Sequence, residues 1–241
     1  MTDSDDKYRG TVKITYDDGR VYEGEFVNGK RHGQGKMTSV SGMVYEGEFS
    51  NGLHNGKGKC TFPDGSNFIG EFKHGHMHGE GTLTFAHGRA YEGEFKNDKP
   101  DGKGILKRSD GSVEYMGDFE DSTQHGEGTA YSPNGNVLYK GGWKAGEPHG
   151  KGVMNYANGN IYDGEFDDGN KHGQGKMTYA NKEVYAGEWM GDKRHGKGTI
   201  TFPNGDVFSG EWTSQQKRDA NTQDVDETGS VAKRPKAEVS P

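Results

Sequence analysis

Aromatic and glycine positions alternate with charged ones in this chain, and the alternation recurs at a fixed interval. In YEGEF, residues 22–26, Tyr22, Gly24 and Phe26 alternate with Glu23 and Glu25. That period of two places the first set on one face of a β-strand and the second set on the other. The same aromatic-x-Gly-x-aromatic core starts at Tyr22, Tyr45, Phe68, Tyr91, Tyr115, Tyr139, Tyr162, Tyr185 and Phe208, at spacings of 23 or 24 residues. Eleven residues after each of the first eight starts comes Gly-x-Gly, for example Gly33 and Gly35 or Gly196 and Gly198, within a second alternating run. One unit is therefore predicted as a β-hairpin. PDGS (63–66), SDGS (109–112) and PNGD (203–206) then supply tight turns between units, because glycine accepts the positive φ such turns need. The two 24-residue units carry their extra residue ahead of Tyr115 and Tyr139, which predicts a β-bulge or a slightly longer turn there.

Both ends of the array are half-units. Residues 10–21 align with the second half of a unit, with Val12 where the second glycine would stand, and no Gly-x-Gly follows Trp212. The prediction is an all-β fold: a single-layer antiparallel meander of about seventeen strands over residues 10–212. At ~4.8 Å between strands it would run roughly 80 Å. A twist of about −20 to −25° per strand would turn it through approximately one circle, giving a twisted rod with a curved aromatic face. Residues 1–9 are read as a flexible N-terminus. Residues 213–241 lose the period and every aromatic ring, and are read as a disordered tail.

Composition taken alone would contradict this. Only 28% of the 241 residues are hydrophobic, 28% are charged and 42 are glycine, a balance that leans towards disorder. Placement reverses the conclusion: 38 of the 42 glycines fall in repeat columns, 18 of the 26 aromatic rings sit at the two core positions, and six more share one later column. On the charged face, the glutamate columns are expected to pair across strands with lysine and threonine columns. A net charge of −7 argues against nucleic-acid binding, which favours a basic face. One cysteine, Cys60, excludes an internal disulfide and suggests a reducing compartment. The opening MTDSDDKYRG has no apolar run of the signal-peptide kind, so the expectation is a soluble, cytoplasmic chain.

YEGEF followed by HGxGxxT and DGxxYEGEF resembles the MORN repeat (membrane occupation and recognition nexus), over about residues 10–212. The resemblance implies a groove lined by the repeated aromatics and a scaffolding or targeting role at membrane–cytoskeleton junctions, cilia or flagella. A protein partner, as a helix or peptide segment, is implied first. Self-association as a homodimer, peripheral contact with anionic lipid and service as a regulatory subunit of a phosphoinositide kinase are further implications. The chain departs from the pattern at YKGGW (139–143), at YMGDF (115–119) and at Pro100-Asp101, where a His-Gly step usually begins.

No catalytic, cofactor or metal site is predicted. Gly-x-Gly recurs in hairpins and lacks the strand–loop–helix context of a phosphate loop, and the paired glutamates recur as surface columns, unlike an isolated acid–base pair. His78 is a repeat position, so only His74 and His76 are additions in HGHMHG. The loop cations Lys30, Arg31, Lys171, Lys193 and Arg194 are read either as lipid-headgroup contacts or as solubilising charge. Lys233, Arg234 and Lys236 form a short basic cluster in the tail. The expected partner-binding residues are the rings Tyr22, Phe26, Tyr45, Phe49, Phe68, Phe72, Tyr91, Phe95, Tyr115, Phe119, Tyr139, Trp143, Tyr162, Phe166, Tyr185 and Trp189. The expected activity is that of a non-enzymatic scaffold.

Overall fold

The structure is a computed structural model and describes residues 10–213; the tail cluster at Lys233, Arg234 and Lys236 lies outside it. Eighteen strands are present among the described residues, where the sequence predicted about seventeen, and no helix is. The chain divides into two compact units, the first ending at Glu147 and the second beginning at Pro148.

In the first unit, β1 (Gly10–Thr15) precedes five hairpins: β2 (Val21–Val27) with β3 (Lys30–Thr38), β4 (Val44–Ser50) with β5 (Leu53–Thr61), β6 (Asn67–Lys73) with β7 (His76–Thr84), β8 (Ala90–Lys96) with β9 (Lys99–Lys107), and β10 (Val113–Glu120) with β11 (Thr123–Tyr131). The unit ends with β12 (Val137–Lys144). In the second unit, β13 (Glu147–Asn155) precedes β14 (Ile161–Asp167) with β15 (Asn170–Thr178), β16 (Val184–Met190) with β17 (Lys193–Thr201), and β18 (Val207–Trp212). Within each unit, successive strands pair antiparallel as a single-layer meander.

Each hairpin closes on two consecutive residues of positive φ, such as Asn28 (50°) and Gly29 (73°). These are type I′ turns, whose twist matches that of the strands they join. The Asp-Gly pairs read from the sequence as tight turns instead close the longer connections between hairpins. There the Gly19 N–H donates to the Tyr16 carbonyl at 2.8 Å, and Tyr16 N–H to the Arg20 carbonyl at 2.9 Å. The extra residues ahead of Tyr115 and Tyr139 form bulges, where the register steps between Val113 and Tyr115 and at the Tyr131–Val137 pair.

The core of each unit is a column of rings on one face of the sheet. Tyr45 meets Phe49 of its own hairpin edge-on at 5.1 Å and Phe72 of the next at 4.9 Å. Tyr185 likewise meets Trp189 and Trp212, both at 5.1 Å. Edge-to-face pairs of this kind contribute about 0.5–1.5 kcal/mol each beyond burial. The seven column tyrosines, from Tyr22 to Tyr185, are also anchored: each hydroxyl donates to the carbonyl three residues on, at 2.6 to 3.0 Å. Room for a ring comes from the second glycine of Gly-x-Gly. A Cβ on Gly58 would lie 2.5 Å from the Tyr45 hydroxyl oxygen and 2.7 Å from its ring carbons.

Candidate functional site

Fourteen of the sixteen rings expected to meet a partner are buried, and Phe26 and Trp143 are half-buried. What covers them is a column that sequence alternation did not single out. Arg31 lies over Tyr22 and Phe49, with its carbon centre 5.7 Å from the Phe49 ring. His54 stacks on Tyr45 at 3.7 Å and Met77 is itself buried. In the second unit, Lys171 sits 5.5 Å from the Trp189 ring and Arg194 4.8 Å from that of Tyr185. Three of the five loop cations, read from the sequence as lipid contacts or solubilising charge, are turned onto rings, and Lys171 also holds Asp192 at 2.6 Å. Burial shifts the titration of this layer. It pushes Tyr139 and Tyr185 up to about 12 and the Cys60 thiol up to about 11. Burial, aided by nearby Arg31, pulls His54 down to about 4, so its imidazole is neutral at physiological pH.

The opposite face carries the charged columns, and they divide by role. The first acidic position pairs with lysine as expected: Lys13 with Glu23 at 3.3 Å, Lys36 with Glu46 at 2.6 Å and Lys107 with Glu92 at 2.7 Å. The second acidic position departs from the expected charge ladder. Glu48 accepts the Lys57 backbone N–H at 2.8 Å, Glu94 that of Lys103 at 2.9 Å and Glu188 that of Lys197 at 3.0 Å. The cause is a two-residue bulge: in β14–β15, Gly164 pairs with Gly175 and Glu165 with His172, which leaves Gly173 and Gln174 unpaired. Gly173 has φ +57°, and a Cβ there would lie 2.6 Å from Glu165 Oε2. The first glycine of Gly-x-Gly thus serves the bulge and its carboxylate cap, and the second serves the ring.

Across β3–β8 this face forms an open trough of about 720 Å³. Five carboxylates line it, those of Glu46, Glu48, Glu71, Glu80 and Glu92, against the ammonium groups of Lys57 and Lys59. Its floor includes the backbone of Gly47, Gly58, Gly70, Gly81 and Gly93. Ile69 stands in it with 55% of its surface exposed. The signal for Ile69 was in the sequence, as an aliphatic residue in a column that holds Glu23, Glu46 and Glu92 elsewhere.

His74, His76 and His78 do not converge on a ligand set among the described residues; His76 Nδ1 instead bonds Asp98 at 2.6 Å. Half-buried His149 lies 3.5 Å from exposed Asp167 and 3.7 Å from exposed Asp168. No helix among the described residues is long and apolar enough to cross a membrane.

Comparison with known proteins gives eight consecutive matches to the MORN repeat model, at residues 22–44, 45–67, 68–88, 91–113, 115–137, 139–161, 162–184 and 185–207. No curated protein matches the chain. Among solved structures, the TCP10 domain of Danio rerio CPAP aligns at 12% identity and a TM-score of 0.43, covering 83% of this chain and 94% of that one. The SAS-4 (dCPAP) TCP domain of Drosophila melanogaster, in complex with a proline-rich motif of Ana2 (dSTIL), aligns at 11% identity and a TM-score of 0.29, covering 83% and 88%.

Proposed function

Because the chain belongs to the MORN-repeat family, we propose that it is a non-enzymatic scaffold whose repeat array binds a segment of another protein. The observation that supports this most directly is the open trough over β3–β8, a concave surface of side-chain rows on a glycine-rich backbone floor. Such a surface suits an elongated ligand, whereas small-molecule sites are enclosed and mostly apolar. The ring column holds the strands in the geometry that makes the trough; of the sixteen expected rings, Phe26 and Trp143 keep partly exposed surface for direct contact. A membrane–cytoskeleton or ciliary setting rests on family resemblance alone.

Proximity labelling with the full-length protein and with residues 10–212 tests this reading. The two should enrich the same proteins, since every ring of the repeat columns and the whole trough lie within 10–212. If the shorter chain folds but enriches none of the full-length set, the array is not the binding element. A parallel flotation assay with anionic vesicles at low and high salt separates protein docking from direct lipid recruitment.

A further inference from the structure

We infer that the trough over β3–β8 receives a basic segment of a partner protein, with one apolar side chain of that segment seated on Ile69. This rests on the protein-binding reading above and specifies the face and the chemistry. The first argument is the charge that remains once internal partners are assigned. Glu46 and Glu92 already hold Lys36 and Lys107, and Glu48 caps a backbone amide. Glu80 is different: in the β7–β8 pairing it stands directly opposite Glu94. Elsewhere in this register the facing residues are neutral or opposite in charge, as in Gln34 with Glu48, Lys57 with Glu71 and Lys197 with Glu211. Like charges directly opposite are destabilising. Glu94 is held as the cap of the Lys103 amide, so a cation seated on exposed Glu80 from within the trough would offset that repulsion, which gives a basic partner a specific place to bind.

The second argument is Ile69. Its side chain sits among charged neighbours on the solvent face, paired in register with Lys59 and Thr82, and the fold gains little from it there. It offers an apolar seat within the acidic stretch. The dimensions agree with a short segment. Six strands at ~4.8 Å span about 24 Å, the length of roughly seven residues of extended chain at ~3.3 Å each.

Fluorescence anisotropy with the full-length chain provides the test. The probe is a labelled peptide of about seven residues, the extended length that matches the trough, with leucine at its centre and lysine or arginine elsewhere. Binding should weaken as salt rises, and the same peptide with glutamate at the basic positions should not bind. Glu80→Lys removes the facing pair with Glu94, so it should melt no lower than the parent while binding the peptide about tenfold more weakly. Ile69→Ser should weaken binding about fivefold, with Ile69→Leu close to the parent. Glu23→Lys makes the same charge change five strands from Glu80, about 24 Å away at ~4.8 Å per strand. At physiological salt it should leave affinity within about twofold, because exposed charges separated by more than a Debye length are screened. Equal weakening by Glu23→Lys and Glu80→Lys would reduce the effect to net charge and overturn the inference. No binding at low salt, or unchanged binding in Glu80→Lys, would overturn it as well. If residues 10–212 still enriched the full-length partners in that case, the scaffold reading would stand without this site.

Discussion

Replacing Gly198 with alanine tests directly whether glycine is required so that a ring can lie against the backbone. Gly198 does not sit at positive φ, so the substitution adds no backbone strain of that kind. Its new Cβ would meet the Tyr185 hydroxyl oxygen at 2.5 Å and two ring carbons at 2.7 Å. Tyr185 has nowhere to retreat. It is fully buried, packed edge-on against Trp189 and Trp212, and bonded through its hydroxyl to the Glu188 carbonyl at 3.0 Å. Overpacking of this kind costs about 1–3 kcal/mol, and losing the hydroxyl's hydrogen bond adds about 1 kcal/mol. The expected loss is therefore about 2–4 kcal/mol in all. Gly205→Ala is the control: its φ is +89° and a Cβ there meets nothing within 4 Å, so only backbone strain of about 1–2 kcal/mol applies. Denaturant unfolding followed by tryptophan emission reads both, because Trp189 and Trp212 touch the displaced ring. If Gly198→Ala unfolds within about 0.5 kcal/mol of the parent, or costs less than Gly205→Ala, the close-approach argument is wrong.

Phe72→Ala should cost about 3–5 kcal/mol in thermal or chemical denaturation, because it removes a buried ring that bridges Tyr45 and Phe68. Lys30→Ala, on an exposed turn-flanking residue, should change stability by less than about 0.5 kcal/mol. For pH, His54 is depressed from 6.5 to about 4. The unfolded chain therefore takes up its proton first, and stability should fall as pH drops from about 6.5 towards 4. Discounted for the partial exposure of His54, the loss is about 2–3 kcal/mol, and a His54→Phe variant should flatten that part of the curve. On the alkaline side the sign reverses in pH. Tyr185 is raised from 10 to about 12, so the stability it contributes is full below pH 10 and is lost as pH rises through 12, which ultraviolet titration can follow.

Period-two alternation was enough to locate the strands and the two units with an extra residue, since both are properties of spacing alone; whether that residue made a bulge or a longer turn was not. It could not reveal that Glu25 and its equivalents cap a backbone amide. That role depends on a two-residue slip in register, and alternation counted along one strand does not see its partner. A trace was present nonetheless: the first glycine of Gly-x-Gly recurs although no ring needs it. The covering of the rings was hidden for another reason. Arg31, His54, Met77 and Lys171 perform the same packing with different chemistry, so the column shows no common residue type. Glu80 was visible only as one more acidic residue; its significance came from the identity of the residue facing it.

Every tyrosine of the column that touches the second ring of the following hairpin makes length an adjustable quantity in this protein. Excising residues 45–67 would bring Tyr22 against Phe72 in place of Phe49, one phenylalanine substituting for another on the same edge. A cut that does not remove a whole number of units would set a ring against a residue of another column. Such a chain can shorten or lengthen only in whole links, and a change in its reach need involve no redesign of what joins them.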